Sequence, residues 1–242
     1  MPTAAAFAAA PLIAAAADLR FALDEVAAQF QRSTGQAVRI VYGSSGNFRR
    51  QIAEGAPFEL FLSADEAYVL ALAKEGHLVD EGVLYATGRL ALVVPEGSTL
   101  ALDGSLRDLP AAVAEGRVRK FALANPEHAP YGRAAAEALK AVGAWDALQG
   151  KLVFGENVAQ AAQFAVSGSA QGGIVALSLA LAPGALGSAR FAPVPETLHR
   201  PLRQRMALTP RAGSVARDFY RYLQQPAARA VLARYGFTSP GE

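Results

Sequence analysis

Residues 38–70 read VRIVYGSSGNFRRQIAEGAPFELFLSADEAYVL. Val38 to Tyr42 is β-branched and bounded by Gly35 and Gly43, the pattern of a short strand. Gly43-Ser44-Ser45-Gly46 is a turn, and Phe48 to Ala53 has helical spacing. Phe58 to Leu62 is a second apolar run of strand length, followed by Ser63-Ala64-Asp65 and a helix through Ala73. A strand, a tight junction and a helix thus occur twice in succession. Parallel neighbours need a crossover helix, so the pattern predicts an α/β fold with mainly parallel sheets.

The same alternation runs outward in both directions. Upstream, Pro11 to Ala17 is an apolar run. Leu19, Leu23, Val26, Ala27 and Phe30 mark one face of a helix through Arg32, closed by Gly35. Downstream, Leu90 to Val94 is a strand stopped by Pro95, and 96–117, rich in Gly, Pro and charge, crosses the surface. Strands follow at Phe121–Ala124, Leu152–Phe154 and Gly173–Leu177, with helices over Gly132–Val142 and about Val158–Val166. The stretch 183–200 reads as irregular, Met206–Leu208 as a short strand, and 214–224 and 227–234 as helices. The strand spacing divides the chain into one α/β set over roughly 11–86 and a second that starts at 90–94.

Composition narrows the function classes. The chain has 242 residues, 52% of them hydrophobic and 18% charged. At ~150 residues per domain this is one large or two small domains. The hydrophobic content excludes intrinsic disorder. The formal net charge is +2, without the basic stripe of a nucleic-acid binder. There is no cysteine, which excludes thiol catalysis, zinc–cysteine sites and disulfides. No stretch has the length and apolarity of a membrane helix. Residues 1–10, MPTAAAFAAA, leave two readings open: the small-residue end of a secretory signal peptide, or an Ala-rich terminus.

The search for chemistry is mostly negative. His77, His128 and His199 are isolated in polar or Pro-rich segments, where surface or loop roles are expected. No HExxH, GxGxxG, GxxxxGK[ST] or GxSxG pattern occurs, and no paired-carboxylate motif stands out. What remains is a set of strand-to-helix junctions built from small residues: Ala17-Asp18, Ser44-Ser45-Gly46, Ser63-Ala64-Asp65, Pro130-Tyr131-Gly132 and Asn157-Val158. In open parallel sheets ligands bind beyond the carboxyl ends of the strands. Helix starts there offer unpaired N–H groups and a partial positive charge, which suits an anion. Each junction alone is equally an ordinary N-cap.

In these residues the chain resembles periplasmic molybdate-binding proteins, the substrate receptors of molybdate ABC transporters. The matching segments are AAAADLRFALDEVAAQF (14–30), YGSSGNFRRQIAEGAPFELFLSADE (42–66), NPEHAPYGRAAAEALKAVGAWDAL (125–148), GENVAQA (155–161), GGIVALSLA (172–180) and FYRYLQQPAARAVLARYGF (219–237). The resemblance implies the type II periplasmic binding-protein fold. Lobe I would take 11–86 plus 206–242, lobe II 87–205, with an anion between them. It implies a periplasmic, non-enzymatic receptor for molybdate and tungstate. Such a receptor hands its ligand to an ABC permease, needs no cofactor or protein-bound metal cation, and acts as a monomer without nucleic acid or membrane insertion.

Carried over by position, the resemblance implies that Ser45 gives its hydroxyl and N–H to the anion, and Ala64, Tyr131 and Val158 their N–H groups. Ala17 and Asp18 fall where the family usually has small hydroxyl or amide residues. Ala176 falls where some members place Tyr and others Ala. Asp18 is the departure, because an ionised carboxylate only accepts hydrogen bonds and repels a dianion. It is expected either to cap the helix from Leu19 through the N–H of Arg20 or Phe21, or to accept a proton from a protonated oxyanion. A third possibility is that it pairs with Arg20 or meets the metal of the anion. Two further functions stay open: a ligand-sensing regulatory domain, which needs an attached DNA-binding module, and an oxyanion-processing enzyme, for which Asp18 is the available base.

Overall fold

In the computed structural model, which describes residues 10–240, the chain forms two five-stranded sheets. The signal-peptide reading falls on residues that lie, but for Ala10, outside that range. The first sheet opens with β1 (Leu12–Ala16) and α1 (Arg20–Thr34), joined by a 3-10 turn at Ala17–Leu19. Next come β2 (Arg39–Gly43), α2 (Ser45–Ala53), β3 (Leu60–Ser63), α3 (Glu66–Lys74) and β4 (Val83–Gly88).

The second sheet begins with β5 (Leu90–Val94), followed by α4 (Leu109–Ala114), β6 (Phe121–Ala124), α5 (Pro130–Ala141), β7 (Leu152–Gly155) and α6 (Val158–Val166). It ends with β8 (Gly173–Ala176), α7 (Leu177–Ala180) and β9 (Arg190–Pro193). The chain then returns to the first sheet as β10 (Leu202–Leu208) and finishes with α8 (Ser214–Tyr222) and α9 (Pro226–Arg234).

The strand orders are β2-β1-β3-β10-β4 and β7-β6-β8-β5-β9. β1 is parallel to β2 and β3, and β6 is parallel to β7 and β8. The expectation of mainly parallel sheets needs correction, because β10 runs antiparallel to β3 and β4, and β5 antiparallel to β8 and β9. These antiparallel strands flank the two places where the chain passes between the sheets, at Arg89 and at 194–201.

β1 is almost pure Ala and Ile because it lies inside its sheet with helices on both faces, so Ile13, Ala14 and Ala15 are fully buried. On one face α1 turns Leu23, Val26 and Phe30 inward against α8 and α9, with Phe30 edge-on to Phe219 at 5.1 Å between centroids. On the other face α2 and α3 enclose Phe48, Phe58 and Phe61. Truncating a buried Phe of this kind to Ala costs about 3–5 kcal/mol. Gly35 ends α1 in the left-handed region at φ 71°, its N–H on the Gln31 carbonyl. That is the C-cap conformation glycine adopts without a Cβ penalty.

Three segments depart from the sequence reading. Val83–Gly88 is a strand where none was expected, its alternation blurred because both sheet faces are covered. Residues 96–117 hold the helix Leu109–Ala114, started by Pro110 near its N-terminus. Residues 183–200 hold β9, whose Pro193 is tolerated because β9 is an edge strand.

Candidate functional site

Where the two sheets face each other, the carboxyl ends of β1, β2, β3 and β7 and the starts of α2, α5 and α6 enclose a small cavity. Its volume is about 10 Å³, close to the room that one water needs. Ala16, Ala17, Asp18, Gly43, Ser44, Ser45 and Ala64 line it from the first sheet, and Ala129, Pro130, Tyr131, Asn157 and Val158 from the second. No Lys, Arg or His is among these residues.

Each helix start exposes donors for a local reason. Ser45 opens α2 and is fully buried, so its N–H has no intrahelical acceptor. α5 begins with Pro130, which has no N–H, so Tyr131 carries the first donor of that helix. At α6 the Asn157 side chain accepts from Ala159 and Gln160 N–H, leaving the Val158 N–H uncapped. Three helices of at least nine residues thus direct their positive dipole ends to one place.

The Ala64 N–H donates to Ser45 Oγ at 3.0 Å. The expectation that this N–H is free for an anion is therefore corrected. A hydroxyl both accepts and donates, so the Ala64 contact leaves the Ser45 proton available to the cavity.

Asp18 is 1% exposed and caps nothing. It lies inside the 3-10 turn, and its side chain makes no bond to Arg20 or Phe21. Instead Oδ2 accepts from Tyr131 Oη at 2.9 Å and from Gln204 Nε2 at 2.6 Å. Tyr85 Oη in turn donates to Gln204 Oε1 at 2.6 Å, and Ser178 Oγ donates to the Asp18 carbonyl at 2.7 Å. No ion pair with Arg20, which is exposed, is formed. Oδ1 of Asp18 is buried with no hydrogen-bond partner. Burial pushes the carboxyl up to about 6, against the opposing effect of the bonds from Gln204 and Tyr131 and of the nearby backbone N–H groups of Asp18 and Leu19. The same burial and the nearby carboxyl hold the Tyr85 and Tyr131 phenols well above their ordinary range.

A ring of contacts across the cavity mouth joins the two sheets. The Gly46 N–H donates to the His128 carbonyl at 2.9 Å, and His128 Nδ1 lies 2.9 Å from Ser44 Oγ. Asn47 bonds Glu156, and Arg133 bonds Asp65 and, at 2.6 Å, Tyr68. His128, expected as a surface or loop residue, is one of these bridges. His199 is buried, its Nδ1 on the Arg200 carbonyl.

Of the seven residues assigned from sequence, Ala17, Asp18, Ser45, Ala64, Tyr131 and Val158 come together around the cavity. Ala176 does not line it. It is fully buried at the end of β8, paired with Leu90. Sequence reading missed Gln204, Tyr85 and Ser178. Gln204 was the most accessible of them, as a polar residue in the strand pattern around Met206–Leu208. A register shift between Gln204 and Arg205 in the pairing with β4 accompanies its inward side chain. Among the described residues, no group of three His, Cys, Asp or Glu side chains could hold a metal ion.

Two α/β sheets closing on a cavity of helix starts define a solute-binding protein of the two-lobed receptor class. The chain belongs to the bacterial extracellular solute-binding protein family, whose profile matches residues 11–238. It is 36% identical to the molybdate-binding protein ModA of Azotobacter vinelandii, over 96% of this chain and 91% of that protein. It is 33% identical to the ModA of Escherichia coli K12, over 93% and 87%. The solved structure of the Azotobacter vinelandii periplasmic molybdate-binding protein superposes with a TM-score of 0.83 at 31% identity, covering 95% of this chain and 99% of that one. The sulfate-binding protein SubI of Mycobacterium tuberculosis shares the fold at a TM-score of 0.75 and 17% identity. The resemblance read from the sequence is thereby shown, as is the two-lobed α/β class. The Azotobacter vinelandii and Escherichia coli relatives are molybdate-binding proteins.

Proposed function

We propose that this protein is a periplasmic receptor that captures molybdate, and tungstate with it, and delivers the anion as a monomer to the permease of an ABC transporter. The observation that carries the reading is the cavity itself, ringed by three helix starts and the Ser45 hydroxyl and lacking any basic side chain. Fixed neutral donors recognise an oxyanion by its size and oxygen geometry. Hydrogen bonds to a charged partner contribute roughly 1.5–3 kcal/mol each. Ser45, Tyr131 and Val158 supply donors through hydroxyl or backbone N–H, and Ala17 and Ala64 keep the walls close. The identities to molybdate-binding relatives support the choice of anion.

The test is calorimetry of ligand-free protein against molybdate, tungstate, sulfate, phosphate and chromate. Molybdate and tungstate should bind at one site per chain and ahead of the smaller sulfate. They should also raise the melting temperature, because a ligand at 1,000 times its Kd stabilises the native state by about 4.1 kcal/mol. Absence of heat and of a thermal shift with both ions would overturn the reading.

A further inference from the structure

We infer that Asp18 makes anion capture proton-coupled: the closed complex holds one proton between Asp18 Oδ1 and an oxygen of the bound oxyanion, drawn from solvent when the ligand arrives as a dianion. The inference rests on the receptor function proposed above and adds to it a specificity-determining residue.

The donor accounting points to Oδ1. Oδ2 already accepts two hydrogen bonds, from Tyr131 and Gln204. An oxygen so engaged serves as the carbonyl oxygen of a carboxylic acid, which leaves the other oxygen to carry the proton. Oδ1 is buried, has no partner, and belongs to a residue that lines the cavity. An anion held in the cavity would lie beside an ionised Asp18 in a site shut off from water, where like charges repel strongly. A protonated Oδ1 becomes one more fixed donor, and the bookkeeping closes: one proton leaves solvent and no bond of the oxyanion is broken.

Beyond the backbone N–H groups of Asp18 and Leu19, no charged side chain near Asp18 takes over this neutralisation. On its own helix Arg20 is exposed, and Asp24 is bonded to Tyr42 of β2. The α7 side contributes the Ser178 hydroxyl, spent on the Asp18 carbonyl, and α6 contributes no titratable side chain. β4 presents Tyr85 and α5 presents Tyr131, both phenols that stay protonated. The basic side chains at the mouth are engaged elsewhere, Arg133 with Asp65 and His128 beside Ser44 and Glu156. In the ligand-free state burial already places the carboxyl at about 6, close to where a physiological proton is available. A dianion beside it raises that value further.

The experiment is titration calorimetry with sodium molybdate from about pH 6 to pH 8.5, in pairs of non-oxyanion buffers of different ionisation enthalpy. In the wild type the heat should depend on the buffer, with about half a proton taken up near pH 6 and close to one above about pH 7, and Kd should rise by about tenfold per pH unit in the alkaline range. Asp18→Asn places an amide donor at the same point, so it should bind with no proton uptake and a flat pH profile. Tyr131→Phe removes a bond that favours the ionised carboxyl, so the rise in Kd should begin at higher pH. Binding of molybdate by the wild type with flat affinity and buffer-independent heat would overturn the inference while leaving the receptor function intact. Proton uptake that persists in Asp18→Asn would also overturn it. Absence of binding of both molybdate and tungstate at every pH would overturn the receptor function, and this inference with it.

Discussion

Tyr131 Oη donates to Asp18 Oδ2 at 2.9 Å across the boundary between the two sheets, bringing together side chains 113 positions apart in the chain. Gly88 makes room for the contact, since a Cβ there would stand 2.1 Å from the same hydroxyl. Strand β4 therefore reaches the network without a side chain at its last residue, and the Asp18 carboxyl is enclosed from both sheets and by Gln204 of β10. One consequence is a pH-dependent stability with a definite sign.

Burial raises the Asp18 carboxyl from 3.8 to about 6 in the folded protein. Below the lower value it is protonated in folded and unfolded chains alike, so its contribution is fully present and does not change with pH. Between the two values the folded state binds more protons, and the stability contributed by the protonated form is lost as pH rises. A shift of about two pH units corresponds to roughly 3 kcal/mol. Asp18→Asn is therefore expected to leave ligand-free stability almost unchanged near pH 4 and to raise it by up to that amount at pH 7.5. Denaturant unfolding of both proteins at the two pH values checks this, and an equal difference at both would contradict it.

Ser45 Oγ is held by the Ala64 N–H at 3.0 Å, which orients a hydroxyl that would otherwise rotate. Ser45→Ala is expected to weaken molybdate binding by roughly 1.5–3 kcal/mol, the loss of one charge-assisted donor. Ligand-free stability should fall by about 1–3 kcal/mol, because the buried Ala64 N–H is left without its acceptor. Calorimetry and thermal melting separate the two effects, and unchanged affinity would remove Ser45 from the site.

Gly46 lies where α2 meets the second lobe. A Cβ there would come within 2.6 Å of the His128 carbonyl oxygen and 3.0 Å of Tyr68 Oη. Gly46→Ala is expected to hold the cleft open without harming α2, since Ala suits a helix better than Gly. Affinity should fall by at least about tenfold, or 1.4 kcal/mol, mainly through faster ligand release. Stopped-flow dissociation measures it, and a release rate equal to that of the wild type would show that the Gly46–His128 contact is dispensable for closure.

The Arg133 bridge to Asp65 and Tyr68 sits at the rim, with both ion-pair partners about a third exposed. Solvent screening limits such pairs to about 0.2–1 kcal/mol. Arg133→Gln is expected to weaken binding no more than about fivefold, with the difference fading at high salt. A loss as large as that of Gly46→Ala would mean that the ion pair, and not backbone fit, closes the cleft.

The strand and helix pattern was legible because it is local. Val158–Val166 and Leu90–Val94 agree with their sequence readings to the residue, since apolar spacing and flanking Gly, Asn and Pro act within a few positions. Six of the seven assigned site residues meet at the cavity for the same reason: each sits at a strand-to-helix junction, and such junctions collect at the carboxyl ends of strands. Ala176 sits at a junction too, but its strand ends against Leu90 instead of the cavity, a difference that pairing decides. Asp18 shows the limit most clearly. As a string, Ala-Asp-Leu-Arg is an N-cap before an apolar-periodic helix. In three dimensions the chain tightens into a 3-10 turn, and the carboxyl faces Tyr131 and Gln204. Those partners lie 113 and 186 residues away, and the bond that favours them over a cap forms only when β10 inserts between β3 and β4 and the two lobes close. Local propensity therefore settles which segments are strands and helices and where helix starts gather. The fate of a buried charge depends on which distant dipoles tertiary packing brings into a space without water, and no spacing along the chain encodes that.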